Sequence, residues 1–179
     1  MGNWCCGGCK KQRENGIIIV GLDAAGKTTW LQRLRTGKVV PTDPTIVSIY
    51  EEIEYKSVKF SIWDLGGQTR HRPLWKYHYQ GTKGILFMVD SSDKQRMHEA
   101  RAELHDLLKA EQLQSAALMV LANKQDVPGG MSAGEVSDLL GLSKACGPRP
   151  WFVQPCSALC GEGMHEAMDW VLGRVRGGG

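Results

Sequence analysis

Six short β-forming runs recur along this chain with helical patterns between most of them, and that alternation restricts the fold more than any other feature. The runs are Ile17 to Val20, Ile49 to Glu54, Val58 to Trp63, Ile85 to Val89, Leu118 to Ala122 and Trp151 to Gln154. Several are continuously apolar, as strands covered on both faces must be. The alternation predicts an α/β fold: βαβ units, a mostly parallel six-stranded sheet and helices on both of its faces. The second and third runs are too close for a crossover helix, so they are predicted to form one antiparallel hairpin. Helical faces are read at Met97, Ala100, Leu104, Leu107 and Leu108, and at Met164, Ala167, Met168, Val171, Leu172 and Val175. A third helix, behind Ser132 and Glu135 at capping-box spacing, is expected to bury Val136, Leu139 and Leu140.

At 179 residues the chain fits one domain with one substantial core. Residues 1–15 read as a flexible N-terminal segment and 16–179 as the folded unit. The longest wholly apolar run, Ala116 to Ala122, is far short of the roughly 20 residues a membrane helix needs. Gly2 to Asn15 is polar and rich in glycine and cysteine, which does not suit a secretory signal, so a cytoplasmic protein is expected. A net charge of +3, with no basic stripe interleaved with aromatics, argues against nucleic acid as a partner. Cys6 and Cys9 have CxxC spacing, but no second pair answers them, and no zinc site is predicted.

Directly after the first run comes Gly21-Leu22-Asp23-Ala24-Ala25-Gly26-Lys27-Thr28, and a helical run follows it. Every specified position of the P-loop pattern is matched, in the strand-to-helix context the pattern requires. Glycines let the backbone turn tightly so that successive N–H groups face phosphate oxygens, and the helix N-terminus adds its positive dipole. Lys27 can then reach the β- and γ-phosphates, and Thr28 offers a hydroxyl to Mg²⁺. The pattern alone does not distinguish GTP from ATP.

Asn123-Lys124-Gln125-Asp126 follows the fifth run, where ligands gather outside the C-terminal ends of parallel strands. Together with the P-loop, Asp64-Leu65-Gly66-Gly67-Gln68 and Ser157-Ala158-Leu159, it resembles the small GTPases. The resemblance is greatest to the ADP-ribosylation factor and Arf-like branch and runs from Ile17 to Arg176. It is carried also by Thr29, Pro44-Thr45-Ile46, Trp63 and Arg72-Pro73-Leu74-Trp75.

That resemblance implies a GTPase that binds GTP and GDP with Mg²⁺ and hydrolyses GTP slowly. It implies that Asp126 accepts from both guanine donors, Lys124 lies along the ring, Asn123 ties the pocket to the P-loop, and the Ala158 N–H meets the guanine carbonyl. Asp64 would hold the Mg²⁺ shell through water, Thr45 would close over the ion, Gly67 would donate its N–H to the γ-phosphate, and Gln68 would orient the attacking water. Catalysis would then rest on Gln68, Lys27 and Thr45, with Thr28 and Thr45 on the metal. In Arf-like proteins the hairpin between the switches slides in register as GTP replaces GDP.

The implied partners are an exchange factor, an activating protein that supplies an arginine, and effectors, acting on a monomer. The implied location is the cytosolic face of an endomembrane such as the Golgi, with a role in vesicle trafficking. Two readings compete: a P-loop ATPase or nucleotide kinase, which would have no need of Asp126, and a nucleotide-binding interaction module with little turnover.

The chain departs from the branch in two places. Val47-Ser48-Ile49 replaces the usual Gly-Phe-Asn, and His78 stands where a tyrosine is usual, leaving only Trp63 of an aromatic triad. His71 and His78 are read as solvated switch-region histidines. Gly2 stands where a myristoyl acceptor would, although Cys6 replaces the Ser or Thr of that signal. Cys5, Cys6 and Cys9 are candidate palmitoylation sites, and Lys10, Lys11 and Arg13 could add attraction to anionic lipid. A plain solvated tail is the alternative.

Overall fold

The computed structural model describes residues 15–39 and 48–176. Its sheet contains β1 (Gly16–Gly21), β2 (Ser48–Tyr55), β3 (Val58–Leu65), β4 (Thr82–Asp90), β5 (Ala117–Asn123) and β6 (Trp151–Pro155), in the order β2-β3-β1-β4-β5-β6. Every neighbouring pair is parallel except β2 and β3, where Tyr50 lies opposite Trp63 and Tyr55 opposite Val58. Lys56 and Ser57, both at positive φ, close this hairpin with the two-residue turn geometry that matches strand twist. Each predicted strand is present, lengthened by a few residues.

Side chains alternate across the sheet because the strand period is two. Ile17 and Ile19 therefore pack with α1 (Lys27–Thr36) and α5 (Met164–Arg176), whereas Ile18 and Val20 join the core under α2 (Met97–Leu108), α3 (Ala133–Leu140) and α4 (Leu142–Ala145). The capping box forms: Ser132 Oγ accepts from the Glu135 N–H, and Glu135 accepts from the Ser132 N–H at 2.9 Å. One helix expectation needs correcting. Val136 and Leu140, one turn apart, face inward, but Leu139 falls at the rim of α3 and is exposed.

The hairpin tip is fastened to α5. The Tyr55 hydroxyl donates to Asp169 Oδ1 at 3.0 Å, and the Lys56 ammonium pairs with the same carboxylate at 2.6 Å. Among the described residues no helix is long and apolar enough to cross a membrane.

Candidate functional site

The C-terminal ends of β1, β3, β4 and β5 meet at one edge of the sheet, and the candidate residues collect there. Gly21 leaves β1 at φ 142°, and a Cβ on it would lie 2.2 Å from the Met88 carbonyl oxygen, so only glycine lets β1 and β4 approach this closely. Ala24 and Gly26 also take positive φ, folding the loop over the start of α1. Gly26 precedes the helix with no side-chain cap, so the first-turn N–H groups have no acceptor within the helix itself. Lys27 runs back beneath the loop and donates to the carbonyls of Gly21 at 3.0 Å and Leu22 at 2.8 Å. Burial pushes Lys27 down to about 8, against the pull of Asp64 and Asp23.

Asp64, the penultimate residue of β3, is fully buried, and its Oδ2 accepts from the Thr28 hydroxyl at 2.6 Å. A carboxylate and a hydroxyl side by side form a hard-oxygen donor set, which suits Mg²⁺ rather than a softer metal. Gly67 rests on the phosphate loop. A Cβ there would stand 2.5 Å from Asp23 N, Gly21 O and Leu22 C, all backbone atoms that cannot yield easily. Gln68 is half-buried, and its Oε1 accepts from Arg70 Nε at 3.1 Å.

At the end of β5, Asn123 joins two loops. Its Nδ2 donates to the Ala25 carbonyl at 2.8 Å, and its Oδ1 accepts from the Ala158 N–H at 2.9 Å. Asp126 is exposed and accepts from the Ser157 hydroxyl. Lys124, at φ 66°, pairs with Asp90 at 2.5 Å across the ends of β5 and β4. Burial raises the Asp90 carboxyl, but hydrogen bonds from Lys124 and Ser92 more than offset this and hold it below its ordinary value. Arg33 of α1 donates to the carbonyls of Leu159 and Cys160, fixing the Ser157–Ala158–Leu159 turn from below. Thr29 lies half-buried in the first turn of α1. Thr45, Gly2, Cys5 and Cys6 lie outside the described residues.

A family model for the ADP-ribosylation factor family matches residues 6–175. The chain belongs to that family. Among solved structures it is similar to the small GTPase Arl6 (BBS3) from Trypanosoma brucei, determined with a bound nucleotide analogue, GppNp. The two share 28% sequence identity at a TM-score of 0.85, over 90% of this chain and 97% of the other. As a member of this family of GTPases, the chain has its phosphate-loop and Asn-Lys-Gln-Asp segments converging on one strand edge, as a nucleotide site requires.

Sequence reasoning missed three features of this edge. Arg72, Arg96, Glu99 and Glu103 form an ion-pair network that reaches Asp23. The spacing of Arg96, Glu99 and Glu103 on one helical face was the available signal. The aromatic row is also fuller than expected, because Tyr50 and His78 flank Trp63 with ring centroids 4.8 Å and 4.6 Å away. Tyr50 lies directly across from Trp63 in the hairpin register, which brings the two rings together. The histidines also differ from expectation: His71 is buried, and His78 is half-buried against Trp63.

Proposed function

We propose that this chain is a GTP-driven switch that binds GTP and GDP with Mg²⁺, hydrolyses GTP slowly and reports its nucleotide state through the hairpin and its flanking loops. The observation that carries this reading is the double role of Asn123. One side chain clamps the phosphate loop and the Ser157–Ala158 turn together beside Asp126, which supports reading the two motifs as opposite ends of a single site. Gly21 to Thr29 would cradle the phosphates. Asp126 would select guanine, which offers an N1–H and an exocyclic amine where adenine offers no such pair. Ser157, Ala158 and Leu159 would border the base with Asn123 and Lys124.

Thr28 and Thr45 would hold Mg²⁺ directly, with Asp64 acting through water. When bound, the ion neutralises charge on the phosphate oxygens. Gly67 would meet the γ-phosphate and Gln68 would orient water. Arg72 and Arg96, which reach the phosphate loop, are both committed to carboxylates. Turnover without help would therefore be on the order of 10⁻⁴ to 10⁻² per second, with an activating partner supplying an arginine. Exchange factors and effectors would read the switch loops, and lipidation at Gly2, Cys5 or Cys6 would bring the monomer to an endomembrane for a trafficking role.

The test is displacement of fluorescent GDP from the purified chain at controlled Mg²⁺. GTP and GDP should compete and ATP should not. Preference for ATP would overturn the reading.

A further inference from the structure

Arg72 opens the 3₁₀ helix Arg72–His78, ahead of Pro73, and its side chain is only 5% exposed. An arginine buried this deeply is costly unless its charge is paired and its donors are engaged. Its Nε donates to the Gly67 carbonyl at 2.8 Å. One terminal nitrogen lies 2.8 Å from Glu99 and 2.9 Å from Glu103 on α2, whereas the other makes no hydrogen bond among the described residues and meets Asp23 on the phosphate loop only as an ion pair at 3.6 Å. One planar group therefore ties the Gly66–Gly67 loop to α2 by hydrogen bonds and faces the phosphate loop through the charge of Asp23. The pairs continue through Glu99 to Arg96 at 2.9 Å and from Arg96 to Asp23 at 2.8 Å, so charge alternates along the whole chain.

Gly67 is the point this network acts on. Its backbone sits against Gly21, Leu22 and Asp23 with no room for a Cβ, and the only side chain gripping its carbonyl is Arg72 among the hydrogen bonds of the described residues. Asp23 places a carboxylate on a loop built to receive phosphate. Its hydrogen bond from Arg96, helped by the charges of Arg96 and Arg72, holds that carboxyl below its ordinary range despite partial burial.

We propose that Arg72 is the positioning residue for the γ-phosphate end of the site, holding Gly67 on the phosphate loop so that GTP is discriminated from GDP. The inference rests on the proposed GTP switch. GDP has no third phosphate for Gly67 to meet, so loosening Gly67 penalises GTP selectively. A lysine cannot replace the fork, because one ammonium cannot span the Gly67 carbonyl and two carboxylates with the same planar geometry.

The experiment measures dissociation of fluorescent GDP and fluorescent GppNp from the full chain, unaltered and with Arg72→Met, Arg72→Lys and Glu103→Gln. Arg72→Met should raise the GppNp-to-GDP ratio of dissociation rates about tenfold, the scale of one charge-assisted hydrogen bond. Arg72→Lys should fail to restore the ratio, and Glu103→Gln, which keeps shape and removes one anchor, should raise it about two- to threefold. Equal acceleration of both nucleotides in Arg72→Met, or full rescue by lysine, overturns the assignment and leaves the GTP-switch reading standing. If Arg72→Met does not fold, an unchanged ratio in Glu103→Gln overturns it. If the unaltered chain binds no guanine nucleotide, the switch reading falls and takes this inference with it.

Discussion

Asn123 Nδ2 donates to the Ala25 carbonyl at 2.8 Å, joining loops that stand 98 positions apart in sequence. The opposite end of the same amide accepts from the Ala158 N–H. Asn123→Ala strands a buried carbonyl and a buried N–H, a cost of about 2–4 kcal/mol. In a chain of this size the melting temperature should fall by roughly 5–15 °C. Because the joint lies away from the γ-phosphate end, GDP and GTP should dissociate faster by similar factors. Thermal unfolding and stopped-flow dissociation measure the two effects.

Gly67→Ala should behave differently. The added methyl meets only backbone, at 2.5 Å from Asp23 N, Gly21 O and Leu22 C, so the loop must lift off. GTP hydrolysis should fall by about a hundredfold, the usual scale for losing one preorganised donor to the transition state. GDP affinity should change by less than about threefold, as titration with labelled GDP would show.

Asp126→Asn replaces one acceptor oxygen with a donor at the position proposed to face two guanine donors. Two charge-assisted bonds are disturbed, so the affinity for GTP should fall by about a hundredfold or more. The hydroxyl of Ser157, bonded to Asp126 Oδ1, retains an oxygen to donate to, and the fold should hold. Competition between GTP and ATP measures the lost selectivity.

Cysteine reactivity checks the packing beneath the base-side loop. Burial pushes the Cys156 thiol up to about 12, whereas Cys160 is exposed on the same turn. At pH 8 only about one Cys156 in 10⁴ is thiolate, so iodoacetamide should label Cys160 and spare Cys156 until the protein unfolds. The sign for stability follows from linkage. The unfolded thiol loses its proton near 9 and the folded one near 12, so this contribution is complete below about 9 and declines as pH rises towards 12. Peptide-mapped alkylation and thermal melts across pH 8–11 test both statements.

The strands were legible because each is a local β-forming run, continuously apolar in the inner strands such as β4 and β5 and mixed with polar residues in β2 and β3. Ile17 to Val20 leading into Gly21 to Thr28 left little choice of topology. The same locality made the Ser132–Glu135 cap readable. Of the network around Arg72 only the local spacing of Arg96, Glu99 and Glu103 was legible, since the links from Asp23 and Arg72 to those residues depend on tertiary placement. Tyr50 was missed because its partnership with Trp63 depends on hairpin register, which the short Lys56–Ser57 turn sets. His71 illustrates the same limit: a polar residue near exposed neighbours was read as solvated, but the turn after Gln68 folds it under.

The central claim is that this chain hydrolyses GTP as a slow switch, and single-turnover cleavage of γ-labelled GTP with Mg²⁺ tests it most directly. The unaltered chain should cleave at a rate on the order of 10⁻⁴ to 10⁻² per second, and Gln68→Leu should reduce that rate at least tenfold. Cleavage no faster than background in the unaltered chain, with GTP demonstrably bound, would contradict the claim and make the protein a nucleotide-binding interaction module.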